Sequence, residues 1–113
     1  MDLNKTYSLL GLCQRAGKLK SGELPVMEAI RKRTARLVIV SEDASDNTTK
    51  QFSDKCKYYN IPIVIFGLKD DIGHAIGKEV RTSLAITDKG LADALLKNLP
   101  VEKSDGGNVN GKD

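Results

Sequence analysis

The sequence predicts an α/β fold, a three-layer α-β-α sandwich built on a small mixed sheet of about four strands. Two observations predict it. The apolar runs Leu37–Val40 and Ile63–Phe66 are continuous rather than alternating, as strands covered on both faces require. Between such runs, apolar residues recur at helical spacing, so helices and short strands alternate along the chain.

In order, Tyr7, Leu10 and the pair Leu9/Cys13 share helical spacing within residues 4–16, and Gly17 stands where a C-cap belongs. Leu19-Lys20-Ser21 reads as a short strand. A second helix is expected from Glu23 to about Arg33, burying Leu24, Met27 and Ile30. Pro25 fits its first turn, where a missing N–H costs nothing. Gly22 is then the N-cap, which leaves the N–H groups of Glu23 and Leu24 unpaired. Leu37–Val40 is the next strand. Ser45 or Asp46 caps a third helix carrying Phe52, Cys56 and Tyr59 on one stripe, and Ile61-Pro62 ends it. Tyr58 and Tyr59 read as one amphipathic edge and one core ring, not as stacking residues. After the strand Ile63–Phe66, a short helix over residues 69–76 is closed by Gly77. Leu84-Ala85-Ile86 forms the last strand, and residues 88–98 the last helix, with Leu91, Leu95 and Leu96 inward. Residues 1–99 are expected to form a single domain. Residues 100–113, polar and glycine-rich after Pro100, read as a disordered tail.

A chain of 113 residues with 40% hydrophobic and 29% charged residues suits one soluble globule. No apolar run reaches the length of a membrane span and no cleavable leader opens the chain, so cytoplasmic residence without membrane contact is expected. Cys13 and Cys56, 43 positions apart among apolar neighbours, read as buried free thiols. With His74 as the one histidine, no metal site is expected. Aromatic residues make up only 4%, too few for the stacking platforms of single-strand binders.

The net charge of +3 is unevenly spread: residues 1–40 hold eight Lys or Arg against three acids, and residues 41–113 hold ten against twelve. The excess gathers at Arg15, Lys18, Lys20 and Arg31-Lys32-Arg33 with Arg36, expected to flank the start of the second helix. An unpaired helix start with a cationic flank suits an anionic partner, most often nucleic acid. Two segments concentrate this character. Lys18-Leu19-Lys20-Ser21-Gly22-Glu23-Leu24-Pro25 is a basic approach to a helix start. Ile72 to Arg81 is a glycine-punctuated turn ending near Lys78 and Arg81. Neither offers a nucleophile, base or metal cluster, so no catalytic residue and no cofactor are expected.

The order of elements, Gly22 with Ala29-Ile30, the strand Leu37–Val40 followed by Ser41-Glu42-Asp43, and Ile72-Gly73-x-Ala75-x-Gly77-Lys78 together resemble the L7Ae/L30e ribosomal-protein family, in its small bacterial form. The resemblance runs from about Leu9 to Leu95. It implies a three-layer sandwich that binds structured RNA, often at kink-turns, with ribosomal RNA or the ribosome as the setting, and a monomer without a small-molecule substrate. By position it implies an RNA-reading surface at Lys18, Lys20, Ser21, Gly22, Glu23, Leu24, Pro25, Glu28 and Lys32. Lys78 and the loop Val80, Arg81, Thr82 and Ser83, which faces a base turned out of its helix, complete it. Kink-turn binders of the family carry Asn-Glu at the positions of Leu24-Pro25 and Lys at that of Glu28. Leucine and proline cannot make their base contacts, each worth roughly 1–3 kcal/mol of discrimination.

Two alternatives follow from the same residues. One is a protein-interaction or assembly module of the same fold. The other is a magnesium-dependent phosphoacceptor domain, with Asp43 and Asp88 holding the ion and Lys89 or Lys78 positioning the phosphoryl group.

Overall fold

The computed structural model describes residues 3–99, so the predicted tail lies outside the described residues. Five helices and four strands alternate in the expected order. They are α1 (Leu3–Arg15), β1 (Leu19–Ser21), α2 (Glu23–Arg31), β2 (Leu37–Val40), α3 (Asp46–Tyr59), β3 (Ile63–Ile65), α4 (Lys69–Ala75), β4 (Ser83–Ile86) and α5 (Lys89–Asn98). The strands lie in the order β1-β4-β2-β3. The β1–β4 and β4–β2 pairs are antiparallel and β2–β3 is parallel, giving the mixed sheet.

Strand geometry turns alternate side chains to opposite faces, so a continuous apolar run feeds two cores. Leu37 and Ile39 of β2 join Leu84 and Ile86 of β4 beneath α1, α4 and α5, with Leu10, Ile72 and Leu95. Val38 and Val40 join Ala85 beneath α2 and α3, with Val26, Ile30, Phe52 and Cys56. These two cores are the interfaces of the three layers. Both cysteines are buried free thiols. Burial pushes the Cys56 thiol up to about 12. No helix among the described residues is long and apolar enough to cross a membrane.

Two local expectations are corrected. Helix α2 ends at Arg31, and Leu24 is 80% exposed rather than buried. At about 100° per residue, Leu24 points some 160° away from Val26, the centre of the stripe Val26, Met27, Ala29 and Ile30 that faces the sheet. Helix α3 ends on Asn60 in the left-handed conformation at φ 60°, ahead of Ile61-Pro62. Ile61 N–H then donates back to the Cys56 carbonyl at 2.8 Å, closing the helix with a Schellman turn. Ser45, not Asp46, caps its start, accepting from Thr48 N–H at 3.1 Å.

Candidate nucleic-acid interface

The turn from β1 into α2 is held open by Gly22, at φ 97° and ψ 160°. No side chain among the described residues caps the helix, and its first backbone bond runs from Val26 N–H to the Gly22 carbonyl. The amides of Glu23 and Leu24 precede that ladder at the surface, the arrangement that favours an anion.

The structure brings the two predicted segments together, although they are about 60 residues apart in the chain. Gly22 N–H donates to the Ser83 carbonyl at 3.1 Å. Arg81 Nε donates to Ser21 Oγ at 3.0 Å, and a second guanidinium nitrogen donates to the Val80 carbonyl at 2.8 Å. Arg81 is therefore a fixed cation beside the helix start rather than a waving surface charge. Its own N–H donates to the Lys69 carbonyl at 3.1 Å, tying the loop to the start of α4. Lys69 N–H in turn donates to Asp43 Oδ1 at 3.0 Å. Partial loss of solvent pushes the Asp43 carboxyl up, but hydrogen bonding from the Lys69 amide, the Ser41 side chain and its own amide, with the Lys69 charge, together outweigh it and leave the acid below its ordinary value.

Gly73 serves packing rather than ligand approach. A Cβ there would overlap the Glu79 carbonyl, so only glycine lets α4 close against the turn that leads into Val80. Gly77, at φ 74°, makes that turn, and Lys78 N–H donates to the Gly73 carbonyl at 2.8 Å.

Around this centre, Lys20, Glu23, Pro25, Lys78 and Val80 are exposed, Thr82 is half-buried, and the apolar side chains of Leu24 and Val80 stand in solvent. Glu28 and Lys32 form an exposed ion pair at 3.2 Å on the outer face of α2. That pair partly spends the Lys32 charge on its own helix. Ser83 departs from expectation: it is fully buried, paired with Val40 across the sheet, and its hydroxyl finds no partner among the described residues. The loop thus presents Val80 and Thr82, not Ser83, to the outside.

Lys18 and the cluster Arg31 to Arg36 are not brought to this point. Lys18 lies at the far end of β1, where its carbonyl accepts from Thr87 N–H. The arginines surround the C-terminal end of α2, about 13 Å along the helix axis from Gly22. Their closeness to Gly22 in sequence reflects one helix length, not one surface.

The acids of the magnesium alternative are likewise separated. Asp43 follows the C-terminal end of β2 and Asp88 that of β4, and these strands are antiparallel, so the two stand at opposite ends of the sheet. Asp88 accepts from Leu91 N–H at 2.9 Å as the cap of α5. Two carboxylates placed so cannot share one ion.

Residues 4–96 match the family described as ribosomal protein L7Ae/L30e/S12e/Gadd45. The chain belongs to this family. An RNA-binding protein YlxQ of Bacillus subtilis is 45% identical over 93 residues, covering 82% of this chain and 93% of the relative. A large ribosomal subunit protein eL8 of Thermoplasma volcanium is 27% identical over 96 residues, covering 84% and 79%. Among solved structures, a protein of unknown function from Bacillus halodurans C superposes with a TM-score of 0.80 at 40% identity, over 82% of this chain and 94% of that one. A 15.5kD RNA binding protein of Giardia lamblia shares the fold, with a TM-score of 0.73 at 18% identity over 83% and 81%. These matches agree with the three-layer sandwich and with the L7Ae/L30e resemblance read from Gly22, Leu37–Val40 and Ile72–Lys78.

Proposed function

We propose that this L7Ae/L30e-family chain is a non-catalytic RNA-binding protein that docks structured RNA, kink-turn or ribosomal, on the surface formed by Lys20–Pro25 and Val80–Thr82. Residues 1–99 act as one domain, monomeric and cytoplasmic. The observation that carries the reading is the junction of the two segments through Gly22 N–H to the Ser83 carbonyl and Arg81 to Ser21. It sets unpaired helix-start amides, a fixed guanidinium and exposed Lys20 beside an apolar shelf at Val80. Amides and cations suit phosphates, and the shelf suits a base turned out of its stack. With Leu24-Pro25 in place of hydrogen-bonding side chains, sheared base pairs are read more weakly, and backbone shape carries more of the affinity.

Titration of a kink-turn RNA and an unkinked duplex tests this. If about four phosphates are neutralised, raising salt from about 50 to about 200 mM weakens binding roughly a hundredfold. Lys20→Ala/Lys78→Ala removes two exposed cations, lowers affinity about tenfold and flattens the salt dependence by nearly two ions. Equal binding of both RNAs removes the kink-turn part of the reading. Absent or salt-insensitive binding removes RNA altogether.

A further inference from the structure

Arg33 and Arg36 are remote from the Gly22 surface, yet they are not scattered. With Lys89 they line a cleft of about 290 Å³ whose walls include Asn60, Pro62 and Leu96. The cleft lies at the other end of β4: Arg36 N–H donates to the Ile86 carbonyl at 2.7 Å, whereas Gly22 N–H bonds at Ser83. A strand of that length separates the two ends by about 10 Å.

The cleft is electrostatically one-sided. Among the described residues that line it, the one acid, Asp93, is ion-paired with Lys89 at 3.1 Å, which partly neutralises both and leaves Arg33 and Arg36 in excess. Arg33 is held by its left-handed backbone at φ 62° and by its guanidinium, which sits 5.0 Å over the Tyr59 ring. A guanidinium stacked in this way keeps N–H edges to fork onto a phosphate. Tyr59 meets Tyr58 edge-on at 4.9 Å, and Tyr58 is 78% exposed. Tyr58 thus stands at the rim of the cleft, next to the Tyr59–Arg33 stack. Against the sequence expectation that neither tyrosine stacks, an exposed ring beside a braced guanidinium matches a nucleic-acid strand, which offers a phosphate and a base face together. An acidic peptide would use the cations and leave the ring unused.

We propose that this cleft is a second RNA contact, in which Arg33, Arg36 and Lys89 hold backbone phosphates of a single-stranded segment and Tyr58 stacks on one of its bases. It extends the RNA-binding reading but does not depend on the Gly22 surface being the first contact. The protein then engages RNA at both ends of its sheet, tying a folded element to a flanking strand.

The test is an amide NMR titration of the full chain with an oligouridylate of about twelve nucleotides, and in parallel with polyglutamate of equal charge. Shifts are expected at residues 33–36, 58–62 and 89–93 with the oligouridylate. Arg36→Ala/Lys89→Ala should weaken binding about tenfold and Tyr58→Ala about fivefold. All three side chains are exposed, so an unchanged spectrum of each free variant certifies its fold. Shifts confined to residues 20–25 and 80–83 would leave the first surface standing and overturn the second. No shifts, or polyglutamate binding as tightly as RNA, would also overturn it. Shifts at the cleft from a protein that ignores kinked RNA would uphold this contact and retire the Gly22 reading instead.

Discussion

Gly22 occupies a backbone region, φ 97° and ψ 160°, that side chains enter only under strain of about 1–3 kcal/mol. A Cβ there would meet nothing closer than Pro25 Cδ at 3.7 Å, so conformation rather than space demands glycine. Gly22→Ala is expected to lower stability by that amount, read as a shift of the urea midpoint at unchanged slope, and to weaken RNA binding because the helix-start amides move. Cys56 gives a separate prediction. Its thiol is raised above the ordinary value of 9.0, so the stability from keeping it neutral is complete below pH 9 and is lost as pH climbs toward about 12. Over that window the loss approaches about 1.4 kcal/mol per pH unit, checked by urea melts of wild type against Cys56→Ala. At this scale the sequence was partly legible. Gly22 and Pro25 announced a helix start through their own stereochemistry. Leu24 misled, because an apolar residue beside a buried stripe reads as core until the angle around the helix is measured.

Among the elements, α4 shows how a short helix positions a distant loop. Its Gly73 lies against the Glu79 carbonyl and its first residue accepts from the Arg81 amide, so two contacts act on the path from Gly77 to Ser83, while Lys69 N–H anchors the same helix start to Asp43. Gly73→Ala must push that path outward. It should destabilise the fold by about 1–3 kcal/mol, as overpacking does, and weaken kinked RNA more than oligouridylate. Equal losses for both RNAs would show a global rather than a local effect. Because Asp43 is held below its ordinary value, its bond to Lys69 is intact above pH 4 and is released as acid titrates it, observable as movement of the Lys69 amide resonance. The elements themselves were readable from apolar spacing, down to the paired cores fed by Leu37–Val40. What tied them was not: the bond from Arg81 to Ser21 spans 60 residues and leaves no local mark in the sequence.

Over the whole molecule, charge that is contiguous in sequence is divided in space. The Gly22 helix start and Arg81 stand at one end of the sheet and Arg36 at the other, with Lys20 between them opposite Ala85, since α2 carries the chain from end to end. Composition revealed the basic excess but not its division, which only the antiparallel pairing of β4 with β1 and β2 creates. On the proposed reading, two cationic ends on a body of 36 × 29 × 26 Å would let one protein bridge two parts of an RNA. The most direct test of the principal surface is ultraviolet crosslinking of the full chain to a kink-turn RNA, with the attached residues mapped by mass spectrometry. Attachment should fall on peptides containing residues 20–25 and 80–82 together. Attachment elsewhere, with both of these segments untouched, would contradict the assignment.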